Sequence, residues 1–196
     1  MLTDNNIRDC FKDHKINYRE YGIEPSINVG FYQDLRFFKP GTSIYQVNYL
    51  IHKNLLFVSG DCYAATYQWS DKINFEFLAG LELNYFASKC IASPTGAGFK
   101  TWDGDAAKEN LQNIIKDCDN DNKIIFKEED WDIIEGYIYH DYEWYRWVDD
   151  NLLMFGGIGH ECLMSIGEII DPRCRFHLIG LWSAFELLKK ERKETL

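Results

Sequence analysis

The 196-residue chain has no apolar stretch of the roughly 18–20 residues needed to cross a bilayer. Its opening, MLTDNNIRDC, lacks the basic-then-apolar order of a secretory signal. The six cysteines, at positions 10, 62, 90, 118, 162 and 174, form no CxxC pair and no dense framework, so they are expected to be reduced thiols. Positive charge is also short: 21 Lys/Arg face 31 Asp/Glu, for a net charge of −10. A protein that grips phosphate backbones gains affinity by releasing counterions around a basic surface, so direct nucleic-acid binding is not expected. The glycines at 156, 157 and 159 have neither the following Lys-Ser/Thr of a phosphate loop nor dinucleotide-fingerprint spacing. These absences together predict a soluble, cytoplasmic protein with no membrane role and a preference for basic protein partners.

Hydrophobic residues make up 46% of the chain and aromatics 16%, enough to bury one core, so residues 1–196 are expected to form a single domain. After a short helix over residues 5–14 and a turn-rich stretch to about 43, three runs rich in β-branched and aromatic residues follow closely, at 44–51, 55–59 and 62–69. They predict a three-stranded antiparallel meander over about 44–69, with Gly60 and Asp61 as a two-residue hairpin turn. Apolar spacing near 3.6 predicts helices over 75–91, capped by Asn74, and over 104–116. A long helix is expected over about 128–148. Asp171 and Pro172 cap and open a last helix, whose Cys174, Leu178, Leu181, Trp182, Phe185 and Leu188 form one stripe. The fold class is α+β: a small antiparallel sheet packed with several helices.

The negative charge is concentrated. Residues 103–150 hold fifteen Asp/Glu against five Lys/Arg, while 1–102 balance ten against ten and 151–196 six against six. Like charges at this density favour a bound cation or a basic partner. For the cation, Asp117, Asp119, Asp121 and Glu128 occupy positions 1, 3, 5 and 12 of an EF-hand-like loop, which would admit Ca²⁺; Asn122 replaces the turn glycine and Ile125 offers no oxygen at the ninth position. For the partner, a continuous helix over 128–148 puts Trp131, Ile133, Ile134, Tyr137, Ile138, Tyr142, Trp144, Tyr145 and Val148 on an apolar half. Glu128, Asp132, Glu135 and Glu143 then form an acidic stripe opposite. Asp132, Glu135 and Glu143, with Trp131, Trp144 and Trp147 as aromatic anchors, are the expected partner-binding residues.

Catalytic constellations are weaker. Asp141 falls inside the apolar half of that helix and is expected to be a hydrogen-bond hub rather than a catalytic acid. A nucleophilic site could be drawn from Cys62 or Cys162 with His140, His160 or His177, and His160-Glu161-Cys162 is the best local context. No residue is therefore assigned to catalysis. A small hydrolase acting on a nucleotide or a defence component stays as the alternative reading.

Several stretches taken together, Pro40-Gly41-Thr42-Ser43, Val58-Ser59-Gly60-Asp61, Tyr67-Gln68-Trp69, the 85–93 segment, Trp102-Asp103 and Arg175-Phe176-His177, resemble an uncharacterised family of small bacteriophage and prophage proteins. The resemblance spans about 41–188 and carries no assigned active site. It implies a setting in the bacterial host cytoplasm. Small acidic phage proteins are often antagonists of host defence, anti-CRISPR proteins among them. The expectation is an acidic inhibitor that occupies the basic nucleic-acid-binding surface of a host nuclease complex.

Overall fold

The computed structural model describes residues 3–22, 32–119, 130–156 and 158–194. They contain eight strands and eight α-helices, which fall into two compact units. One unit, residues 1–99 and 170–196, is built on a sheet; the other, residues 100–169, is mainly helical. The α+β class holds, with a larger sheet than the expected three strands.

The sheet unit contains β1 (Lys15–Tyr21), β2 (Tyr32–Phe38), β3 (Val47–His52), β4 (Leu55–Gly60), β5 (Ala65–Gln68) and β6 (Cys90–Ala92). Each strand pairs antiparallel with the next. The expected meander is β3 to β5. Strands β1 and β2 extend it on one side, within a stretch that reads as irregular, yet Gln33, Leu35 and Phe37 alternate with more exposed residues as a half-buried strand requires. The tight turn lies at Lys53 and Asn54, with Lys53 at φ 56°. Gly60 is not in a two-residue turn, because β5 begins only at Ala65. Its φ of 130° and its position, where a Cβ would lie 2.2 Å from the Gln46 carbonyl oxygen, let β4 run on against the start of β3.

One face of this sheet presents Leu35, Phe37, Val47, Tyr49, Ile51, Leu56, Val58 and Tyr67 to the core. The helices α1 (Asp4–Cys10), α2 (Phe75–Leu78), α3 (Leu83–Ser88) and α8 (Pro172–Glu194) complete it. The expected helix over 75–91 is thus two short helices and a strand, interrupted by the turn around Gly80; its cap is as expected, with Asn74 Oδ1 accepting from Phe77 N at 2.8 Å. Helix α8 starts after Asp171, whose Oδ1 accepts from Arg173 N at 2.8 Å, and buries Cys174, Leu178, Ile179, Leu181, Ala184 and Leu188. Gly180 allows the close approach to the sheet, since a Cβ there would lie 2.6 Å from Tyr49 Oη.

The helical unit contains β7 (Lys100–Trp102) paired with β8 (Glu168–Ile170), then α4 (Gly104–Asp119), α5 (Trp131–Glu135), α6 (Asp141–Asn151) and α7 (His160–Met164). Its core gathers Ala107, Leu111, Ile134, Ile138, Trp144, Val148, Phe155, Leu163 and Ile166. Buried indoles need acceptors. Trp144 Nε1 donates to Leu163 O at 2.8 Å and Trp102 Nε1 to Ile138 O at 2.9 Å.

The expected long helix over 128–148 is broken. Turns at 136–140 separate α5 from α6, and His140 is extended (φ −129°, ψ 124°) before the new helix begins. Counting at 100° per residue through this break misplaces faces. Ile133, Tyr137 and Tyr142, assigned to the buried half, are 54%, 40% and 72% exposed.

Candidate functional site

The break between α5 and α6 opens a groove of about 820 Å³ in the helical unit. Gly136 leaves room in its wall, and Ile133, Tyr137, Tyr142 and Trp147 supply apolar surface. Tyr137 lies nearly parallel to Trp147, with ring centroids 6.0 Å apart, and Trp147 in turn stacks on Trp144 at 5.6 Å. An aromatic ladder therefore runs from the groove into the core, which holds the groove's aromatic wall in place. The charged residues along it are Glu143, Arg146 and Asp150, all on α6 and all exposed.

Around the groove the charge is strongly one-sided. Residues 100–169 carry seventeen Asp/Glu against six Lys/Arg. Two of those cations are engaged locally: Lys108 pairs with Glu135 and Lys100 with Glu168. The hydrogen bond from Lys108 to Glu135 raises the lysine's pKa above its ordinary value. His160 Nε2 meets Asp149 Oδ1 at 2.8 Å, both partly exposed.

Of the expected partner-binding residues, Asp132, Glu135 and Glu143 are exposed and Trp131 is half-buried. Glu143 lines the groove. Trp147 also lines it, although only 8% exposed. Trp144 cannot be a surface anchor: it is fully buried in the core of the helical unit, with its indole N–H donated to Leu163 O. The residues that sequence reasoning missed are Ile133, Tyr137 and Tyr142. Gly136, followed shortly by His140 and Asp141 at a new helix start, was the available signal for the break.

Of the four expected calcium ligands, Asp117 and Asp119 sit on the last turn of α4. Asp121 and Glu128 lie outside the described residues. Among the described residues, no group of three or more His, Cys, Asp or Glu side chains could hold a metal.

The candidate catalytic groups are dispersed. Asp141 is exposed at the start of α6, where its carboxylate accepts from Tyr142 N at 2.7 Å; it is neither buried nor a hub. His140 and Cys162 are exposed. In the sheet unit, His177 is fully buried, with Nε2 on Cys62 O at 2.7 Å and Nδ1 on Tyr67 Oη at 2.9 Å. A neutral ring satisfies both contacts when Nε2 donates and Nδ1 accepts the tyrosine proton. Burial pushes its pKa down to about 4, against the backbone acceptors that favour the charged form. Burial also pushes the Cys62 and Cys174 thiols up to about 12. Those thiols stay protonated near neutrality, when the nucleophile would be the thiolate. The cluster is a core hydrogen-bond network.

The fold and the groove define an α+β protein that joins a sheet unit of balanced charge to an acidic helical unit with an exposed aromatic groove. No protein-family model, no curated protein and no solved structure matches the chain. Among the described residues no helix is long and apolar enough to cross a membrane.

Proposed function

We propose that this is an acidic interaction protein whose helical unit docks on the basic, nucleic-acid-binding surface of a partner protein. The supporting observation is the coincidence, on one unit, of a large excess of carboxylates with exposed Ile133, Tyr137 and Tyr142 in a single groove. The two features have complementary roles. Long-range attraction speeds and orients encounter, while apolar and aromatic contacts that exclude water slow dissociation. The resemblance to phage and prophage proteins makes a host nuclease complex the partner of choice, inhibited because its nucleic-acid site is occupied.

The test is capture of such a complex from host lysate at low and high salt, with competing duplex DNA and with a variant carrying Asp132→Asn, Glu135→Gln and Glu143→Gln. Bound complex should be released by salt and by DNA. Exposed charge pairs contribute a few tenths to 1 kcal/mol each, so the triple variant should lose about tenfold or more in affinity. Affinity that is unchanged in the variant, or insensitive to DNA, overturns the proposal.

A further inference from the structure

We propose that the α5–α6 groove is a receptor for an arginine side chain presented on an extended basic segment, an inference that rests on the proposed docking function. On α6, Glu143, Trp147 and Asp150 follow one another at i, i+4 and i+7, so a carboxylate, an indole and a carboxylate fall in one stripe within two turns. Tyr137 stacks on that indole and is 40% exposed, and Tyr142, 72% exposed, stands on the same groove. Aromatic faces flanked by carboxylates suit a planar cation. A guanidinium can stack on a tyrosine ring and present paired N–H donors to a carboxylate, and it is less strongly hydrated than an ammonium. Lysine offers only a compact, well-hydrated charge to the same surface. Arg146 is the like charge in the groove; it is exposed on a long flexible stem, and its donors suit the carbonyl oxygens of the bound segment. The volume of about 820 Å³ exceeds one side chain and leaves room for backbone beside it.

The experiment is fluorescence anisotropy of the full chain with two labelled nonapeptides of equal charge, one alternating arginine and glycine, the other lysine and glycine. The arginine peptide should bind about fivefold or more tightly than the lysine peptide. The Tyr137→Ala/Tyr142→Ala variant should abolish that preference while still binding the lysine peptide, and Tyr137→Phe/Tyr142→Phe should restore it, because the ring faces remain. Far-UV circular dichroism of each variant checks the fold, which both exposed positions should tolerate. Equal affinity for the two peptides in the wild type, or a preference that survives loss of both rings, overturns the arginine inference and leaves the docking function standing. Binding of neither peptide also overturns it, and the docking function is then decided by the salt- and DNA-sensitive capture from host lysate.

Discussion

The sheet unit carries fourteen Asp/Glu against fifteen Lys/Arg, whereas the helical unit carries seventeen against six. In the sheet unit, the principal polar groups of the core are turned inward on one another: Tyr49 Oη donates to His177 O at 2.8 Å, and His177 links Tyr67 to the Cys62 carbonyl. In the helical unit the core is aromatic and closes on backbone carbonyls, while the carboxylates spread over the outside. Such self-repulsion costs stability, and a basic partner would relieve it. The two units thus differ in charge balance and in how their core polar groups are satisfied, while each has a buried core of its own.

Four perturbations would break or sharpen that contrast. Trp144→Ala removes a fully buried indole and should cost about 3–5 kcal/mol. Hydrogen exchange should then show protection falling across residues 100–169 while 32–68 keep theirs; equal loss in both would mean that the two cores are not separable. A pH titration acts on the other unit. His177 resists protonation down to about 4 when folded but takes up a proton near 6.5 when unfolded, so the unfolded state binds more protons between those values. Stability should be level above about pH 6.5 and decline by about 3 kcal/mol on going down to pH 4. Asp171, whose burial is outweighed by hydrogen bonds from Arg173, is held below the usual carboxylate range and adds its loss only at lower pH. Urea unfolding of His177→Gln should show a flatter pH profile, and an unchanged slope would remove this histidine as the cause. Asn74→Ala deletes the α2 cap and should lower sheet-unit stability by about 1 kcal/mol in the same assay. The smallest effect is that of salt. Raising NaCl from 20 to 500 mM shortens the screening length several-fold, so the helical unit should gain roughly a few tenths of a kcal/mol and the sheet unit nothing measurable by exchange.

How far the sequence could be read differed between the units for physical reasons. Strands β3 to β5 and helix α8 were legible, because period-2 and period-3.6 patterns with their capping residues specify a local conformation and the face it buries. Strand β2 alternates just as well in Gln33, Leu35 and Phe37, but the turn-rich residues on either side obscure it. In the candidate site, the acidity of Asp132, Glu135 and Glu143 was legible from composition alone. Tyr142 was not: a single helix over 128–148 puts Tyr142 and Trp144 on the same apolar half, and after the break at 136–140 only Trp144 is buried while Tyr142 faces solvent.

The sequence by itself determined the fold class, the segregation of charge and the start of the last helix, since each depends on residue type and short-range spacing. Only the tertiary structure decided which aromatics face solvent and that Glu143, Trp147 and Asp150 share a groove with Tyr137 and Tyr142. Those outcomes depend on where one helix stops and the next begins. Gly136 and the new start at Asp141 permit a break there, but packing Ile134, Ile138 and Trp144 into a common core is a long-range balance that local pattern alone does not settle.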